Sequence, residues 1–302
     1  MSFALGANDT QLTYAAYSAQ SNIWFTDINS GARPAPPSAL TQGNQIIEAM
    51  RASRDGQWII YDSNLGGISH IWRIPSNGGT AEQLTNGPKD EFAGDLSPDG
   101  RFVVYHSWRN GTRDIEVQAL AGGEAQRVTD TPAEESYPRW SSDGRSVLYF
   151  NQATPPNAYV TTRSADGRWS PPDSVRPNVR LPVWSPDDKS IAYVDRQRQR
   201  VYVAPVTGGQ PQEVYHVDAT HPVPSGAYWT PDGLLYLKAH DSVGRASFWL
   251  LSTTGGEPRR VFAVDDASHP STRADFAASR GRLFYPIDVR QSDIYVVDVT
   301  RK

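Results

Sequence analysis

Short apolar segments alternate with polar turns along the whole chain, and residues 88–132 show the arrangement most clearly. A first strand there ends near Leu96 and is followed by the turn Ser-Pro-Asp-Gly. In this turn Pro sets the φ of the first corner, Asp bonds to the local backbone and Gly takes a positive φ. Apolar or alternating stretches at 101–105, 114–120 and 125–129 predict three further strands, the last two joined by the Gly-Gly turn at 122–123. No stretch carries a convincing helical period. The pattern therefore predicts an all-β protein built from four-stranded antiparallel units.

This unit recurs at a nearly constant spacing. The Ser-Pro-Asp-Gly turn or a weakened copy of it occurs seven times, and the third residues of the aligned copies fall at positions 9, 55, 99, 143, 187, 232 and 280. Periods of this size are typical of repeat architectures, and four-stranded units arranged radially form a β-propeller.

Seven units predict a propeller of seven blades with four antiparallel strands each, forming a single domain over residues 1–302. The last unit stops after a predicted third strand at 294–299, and neither terminus has residues to spare for closing the ring. Because a three-stranded blade would leave an unprotected edge, we expect the chain to be a piece of a longer protein. Six blades are the alternative, if the first or the last unit is only a partial blade.

Composition agrees with stacked sheets and excludes several classes of function. The hydrophobic content of 38%, with 9 Trp and 14 Tyr, suits many small interfaces between blades. The formal net charge of −4 argues against a nucleic-acid binder. The apolar runs are far too short to cross a bilayer, so we expect no membrane insertion by this segment. With no cysteine, neither a disulfide framework nor a thiolate metal site is possible.

Motifs that carry chemistry are largely missing from the sequence. There is no Gly-x-Ser-x-Gly nucleophile elbow, no His-Glu-x-x-His, no glycine-rich phosphate loop and no calcium-loop pattern. We therefore expect no cofactor.

The repeated turn and its neighbours resemble the repeat of TolB-type propellers. The resemblance rests on residues 96–129, on the aromatic positions Trp140, Trp184 and Trp229, and on the Gly-Gly turns, and it extends over essentially the whole chain. It implies a propeller that acts as a binding, sensor or gating domain in a larger bacterial protein, and it favours an extracytoplasmic location, which the lack of cysteine fits. No signal peptide is recognisable at the N-terminus. Compared with TolB-type proteins, we expect seven repeats in this chain and no preceding N-terminal domain.

Function is expected in the loops that do not repeat, because such loops are carried on a rigid frame. In a propeller the loops before the first strand of each unit and those between its second and third strands emerge on one face, around the channel. The candidate binding residues in these loops are Glu48, Asp90, Glu91, Trp108, Arg109, Glu134, Glu135, Arg180, His221 and His269. Trp108 is the best single candidate for a binding aromatic side chain.

Two hypotheses follow. The first is a monomeric, non-catalytic module that docks a protein or peptide partner on this polar face. The alternative is a lyase or hydrolase that acts at the channel mouth through His221 and His269 with acidic neighbours and a divalent metal. Two histidines without a fixed local spacing are a weak metal signal, so no metal ligands are assigned.

Overall fold

The computed structural model describes residues 3–5, 11–28, 36–109, 111–266 and 268–298. The described residues form β-strands and connecting loops. The three strands that precede the first complete blade are β1 (Phe3–Leu5), β2 (Gln11–Asp27) and β3 (Ser38–Ala39). The first complete blade, blade 1, consists of β4 (Met50–Ala52), β5 (Trp58–Gly66), β6 (Ile68–Pro75) and β7 (Glu82–Gln83).

Blades 2 to 5 follow in chain order, each as four antiparallel strands. Blade 2 consists of β8 (Glu91–Leu96), β9 (Phe102–Ser107), β10 (Asp114–Ala119) and β11 (Gln126–Arg127). Blade 3 consists of β12 (Glu135–Trp140), β13 (Ser146–Asn151), β14 (Asn157–Thr162) and β15 (Asp173–Pro177). Blade 4 consists of β16 (Val179–Trp184), β17 (Ser190–Asp195), β18 (Arg200–Pro205) and β19 (Gln212–His216). Blade 5 consists of β20 (Val223–Trp229), β21 (Leu235–His240), β22 (Ala246–Leu251) and β23 (Arg259–Ala263).

Blade 6 is assembled from both ends of the chain. Its inner strands are β24 (Ala277–Ser279) and β25 (Arg282–Asp298), and β2 and β3 complete it in the order β24-β25-β2-β3. The strands β2 and β25 pair over their whole length, from Gln11 opposite Asp298 to Asp27 opposite Arg282, and β1 pairs with β2 near its start. The innermost strand of each blade contacts the innermost strand of the next, and β24 contacts β4, which closes a ring of six.

The structure corrects the predicted number of blades from seven to six, which is the alternative given above. The first and last repeats are partial, and together they make one blade. The predicted third strand at 294–299 is instead the continuation of β25 as far as Asp298, and the N-terminal strand β2 does supply the strand that closes the ring. This pairing covers the edge of β25 that would otherwise be exposed to other chains.

The repeated turns are held by their own side chains. In the turn of blade 2 the Ser97 hydroxyl donates to Asp99 at 2.6 Å, and the backbone N–H of Phe102 donates to Ser97 Oγ at 2.9 Å. The Ser–Asp bond recurs in blades 1, 3 and 4. Gly100 has a φ of 69°, as the turn requires. These bonds occupy the turn side chains with one another, so the turns act as scaffold.

Each inner strand of blades 2, 3 and 4 carries a β-bulge at the same place in the repeat. The residues with positive φ at these bulges are Ala93, Tyr137 and Leu181, which are spaced by 44 positions. A bulge rotates the strand locally and leaves a backbone N–H outside the ladder. Side chains of the preceding blades reach two of these positions, Ala93 and Tyr137, and they belong to the polar interior described below.

Among the described residues, no helical segment has the length and apolar character needed to span a bilayer.

Candidate functional site

One position on the second strand of the blades places chemically different side chains in the buried contact with the next blade. Asp62 in β5, His106 in β9 and Lys238 in β21 occupy it, at intervals of 44 residues or a multiple of 44. All three are buried, with exposed fractions of 0%, 4% and 0%. Buried polar groups of this kind need partners, and each of these side chains finds a different one.

Asp62 joins blade 1 to blade 2 through backbone donors. Its carboxylate accepts the N–H groups of Glu48 at 2.6 Å, Ala49 at 3.1 Å and Ala93 at 3.1 Å, and Ala93 is the bulge residue of β8. Burial raises the pKa of Asp62 to about 7, although the three N–H donors act in the opposite direction. His106 plays the corresponding part between blades 2 and 3: its Nδ1 lies 3.5 Å from the bulge N–H of Tyr137, and burial lowers the pKa of His106.

Lys238 joins blade 5 to the segment that leads into blade 6. Its Nζ donates to the Ser271 hydroxyl at 2.7 Å and to the Arg273 carbonyl at 2.6 Å. Burial lowers the pKa of Lys238 to about 7, and the nearby carboxylates of Asp288 and Asp275 offset only part of this effect.

This lowered pKa predicts a dependence of stability on pH. The pKa of an unfolded lysine is about 10.4, so between about pH 7 and pH 10 the unfolded chain binds more protons than the folded chain. The free energy of unfolding of the wild type relative to Lys238→Met should therefore rise with pH, by at most about 1.4 kcal/mol per pH unit. Urea unfolding of both proteins from pH 7 to 9.5 measures it, and a constant difference would contradict the assignment.

Two arginines cross the interior on the side of the repeated turns. Arg139 in β12, which is 5% exposed, reaches across the channel from blade 3 to Asp275, just before β24 of blade 6, at 3.5 Å, and it donates to the Pro138 carbonyl at 2.9 Å. Burial lowers the pKa of Arg139 to about 10. Arg51 in β4 lies 5.2 Å from the ring centre of Tyr228 in β20. Burial also raises the pKa values of Asp95 and Asp275.

The residues that the sequence predicted for the loop face differ in their exposure to solvent. Glu48 and Glu134 are half-exposed and form ion pairs with Arg273 at 3.4 Å and Arg113 at 3.6 Å. Asp90 is exposed and accepts the backbone N–H of Ser69 at 2.8 Å.

Glu91 and Glu135 are buried, with exposed fractions of 1% and 2%. Glu91 lies 2.8 Å from His70 Nδ1, and Glu135 accepts the hydroxyls of Thr129 and Thr131. Burial raises the pKa of Glu135 to about 6. Glu91 thus contacts a strand of blade 1, and Glu135 contacts the loop that precedes it. Because both carboxylates are buried, they do not form an exposed acidic surface.

Trp108, Arg109 and Arg180 are partly buried. Trp108 packs edge-on against His106, with ring centres 5.7 Å apart, and the guanidinium of Arg113 covers its face at 4.3 Å. Arg109 pairs with the buried Glu116 at 3.7 Å. Burial and the neighbouring Arg198 lower the pKa of Arg180.

The two histidines that the sequence put forward have separate partners. His221 Nδ1 lies 2.9 Å from Asp218, and His269 Nδ1 lies 2.8 Å from Asp266. Within the described ranges, no group of three or more His, Cys, Asp or Glu side chains is placed to hold a metal ion.

His221 lines a groove of about 610 Å³ on the loop face of blade 5, which we call the blade-5 groove. Its ring packs edge-on against Trp249, with ring centres 5.5 Å apart. The groove is lined by Val217, Asp218, Ala219, Thr220, His221, Pro222, Val223, His240, Asp241, Ser242, Arg245, Ala246, Ser247, Trp249, Arg260, Ala263 and Asp265. Apolar side chains flanked by charges of both signs are typical of binding pockets of this volume.

Sequence reasoning missed the buried charges, although the signal was present. Asp62 and Lys238 interrupt the apolar second strand of their units, as in Ile60-Tyr61-Asp62 and Tyr236-Leu237-Lys238. A charged residue at a position that other repeats fill with Phe150 or Val194 marks a buried polar contact.

Comparison with known structures identifies the fold. The chain is similar to a putative TolB from Agrobacterium tumefaciens, with 19% identity, coverage of 90% of this chain and 99% of that chain, and a TM-score of 0.69. It is similar to TolB from Acinetobacter baumannii, with 17% identity, coverage of 94% and 67%, and a TM-score of 0.60. It is also similar to an oligogalacturonate lyase from Vibrio parahaemolyticus, with 14% identity, coverage of 87% and 76%, and a TM-score of 0.55.

No curated protein matches the chain. The family model described as "TolB beta propeller domain" matches residues 12–172, which are more than half of the 302 residues. This match confirms the resemblance derived from the repeated turn. The chain therefore belongs to the TolB beta propeller domain family.

Proposed function

We propose that this protein is a binding module that docks a peptide segment of a partner protein in the blade-5 groove. The TolB-type propeller supports a binding or scaffold role, and propellers of this kind mediate protein interactions. The main support for the proposal is the groove itself. It has a volume of about 610 Å³, a wall of aromatic side chains and an exposed apolar side chain at its rim.

The groove suits an extended segment with one apolar anchor. Val223 is 40% exposed at its rim, and Trp249 and His221 form the wall beside it. Trp249 is held in place because its indole N–H donates to Ser247 Oγ at 2.9 Å. A rigid aromatic residue with an apolar neighbour is a common anchor for a partner side chain.

Polar groups at the rim would set the orientation of the segment. Asp218 accepts N–H and O–H groups from its own loop, and Asp241 pairs with Arg245 at 3.0 Å. Because these charges are partnered within the protein, they contribute register and selectivity more than affinity.

The experiment uses a phage-displayed random peptide library, panned on the full chain. Peptides selected on the wild type should bind Val223→Lys at least about tenfold more weakly, because a lysine at the rim removes the apolar anchor. Leu234→Lys is the matched control: Leu234 is also 40% exposed in blade 5, but it lies at the repeated turn on the opposite face. It should change affinity by less than about twofold.

Titration calorimetry with one selected peptide gives both affinities. The proposal fails if the library yields no enriched sequence, or if the enriched peptides bind the two lysine variants with equal affinity.

A further inference from the structure

A single side chain spans the channel mouth on the face of the repeated turns. Arg54 Nη2 in blade 1 donates to the Pro186 carbonyl in blade 4 at 3.0 Å. Blades 1 and 4 are opposite one another in a ring of six, so this bond crosses the whole opening. Arg54 also occupies the turn position at which Pro98 and Pro186 stand in their own repeats. Blade 1 has therefore replaced a rigid turn residue with a long cationic side chain.

Beneath this side chain lies a cavity of about 80 Å³, which we call the arginine cavity. The charged residues that line it are Arg51, Arg54, Arg139 and Asp95, so its lining carries two more positive than negative charges. Its remaining walls come from the ends of the inner strands and from turn residues such as Pro98 and Pro231. Its volume corresponds to about five water-sized spaces, which accommodates a carboxylate with one or two carbons.

Two of these arginines have donors without a partner. The Nε–H groups of Arg51 and Arg139 are buried and make no hydrogen bond to any described residue. The other nitrogens of Arg139 are occupied by the carbonyls of Pro138 and Ala93 and by Asp275. A buried donor without an acceptor destabilises the folded state, and a charged donor does so more strongly. An acceptor that enters the cavity would remove this destabilisation.

We propose that the arginine cavity is a binding site for a carboxylate group, with Arg54 as the side chain that closes over it. A carboxylate offers acceptors only, and its planar shape matches the fork of N–H donors on a guanidinium. Asp95 Oδ2 accepts the backbone N–H of Trp140 at 2.9 Å, and no hydrogen bond joins this carboxylate to either of the unpaired Nε–H groups. The site is independent of the blade-5 groove, which lies on the other face.

The carboxylate can come from a free small acid or from a peptide that enters at the turn face. The probes are acetate and the matched pair acetyl-Ala-Ala, as free acid and as amide, each added to the full chain at constant ionic strength. Calorimetry and the shift in Tm measure binding, because a ligand that binds the folded state raises Tm. Arg51→Gln removes one free donor while leaving Arg139 and its aspartates in place, and Arg54→Gln removes the closing side chain.

Acetate or the free-acid peptide should raise the Tm of the wild type, and the amide should not. Arg51→Gln should weaken the binding at least about tenfold, as expected for the loss of a charge-assisted hydrogen bond. Arg54→Gln should weaken it and speed dissociation. Arg145→Gln, an exposed arginine of the blade 3 turn that does not line the cavity, should bind like the wild type.

Binding of acetate without the peptide supports a site for free acids, and tighter binding of the free-acid peptide supports a site for a peptide carboxylate. Equal Tm shifts with the acid and the amide overturn the proposal. So does unchanged carboxylate binding in Arg51→Gln, or the absence of any binding by the wild type. Val223 does not line this cavity, and the arginines of the cavity do not line the blade-5 groove. The carboxylate site and the peptide site in the blade-5 groove are therefore tested independently of each other.

Discussion

Removal of residues 1–28 is expected to abolish the cooperative unfolding transition of this protein at 25 °C. The deletion takes away β2 and leaves β25 without its partner over 17 residues. It also removes Ile23, which is fully buried in the cluster that contains Phe284 and Tyr285. Loss of one buried isoleucine side chain alone costs about 2 to 5 kcal/mol, against a total stability of about 5 to 15 kcal/mol for a typical protein. Urea unfolding followed by near-ultraviolet circular dichroism measures the result.

Deletion of residues 1–10 is the matched control. It removes β1, whose described pairing is with residues 12–14 of β2, and it preserves the pairing of Trp24 with Tyr285 inside the blade. We expect this variant to unfold cooperatively. A peptide that covers residues 11–41, added to the longer deletion, should restore the transition. A native-like transition in the longer deletion without the peptide would show that the ring does not depend on this strand.

Asp62→Ala is expected to destabilise the fold by at least about 3 kcal/mol, a large fraction of the stability of an ordinary domain. The substitution leaves the backbone N–H groups of Glu48, Ala49 and Ala93 without their acceptor in the interior. Each unpaired buried donor costs about 1 to 3 kcal/mol. Because Ala93 lies in blade 2 and the other two lie in the loop that leads into blade 1, the loss also loosens the contact between the blades. Urea unfolding at pH 7 measures the change.

Asp62→Asn separates this effect from a simple change of volume. The side-chain carbonyl oxygen of this variant can still accept the N–H of Glu48, but its NH2 group faces the Ala93 N–H and cannot accept from it. We therefore expect a loss in the free energy of unfolding that is smaller than in Asp62→Ala. Asp90→Ala is the surface control, because Asp90 is exposed and accepts a single N–H. A loss below about 1 kcal/mol in Asp62→Ala would contradict the role assigned to its three bonds.

Much of the scaffold could be predicted from local pattern. The turn at 97–100 and the strand that follows it are encoded within ten residues, and the Ser97–Asp99 bond is the kind of local contact that a turn motif implies. The candidate sites were less predictable. Trp108 sits on a loop in the sequence, yet the ring of His106 and the guanidinium of Arg113 cover it, and those contacts depend on neighbouring strands. In the sequence, Arg54 stands out only because other repeats have Pro at this turn position. Its partner Pro186 lies 132 residues away.

The sequence alone determined the all-β class, the four-stranded unit, the turn chemistry and the family, because each depends on residues close together in the chain or on the spacing between repeats. Only the tertiary structure decided that the ring has six blades, because two partial repeats count as two units along the chain and as one blade in space. The pairing of Gln11 with Asp298 joins residues 287 positions apart, and no local pattern states which strand a given edge will pair with. The arginine cavity has the same origin: it exists because closing the ring brings Arg51 and Arg54 of blade 1 and Arg139 of blade 3 to one channel mouth.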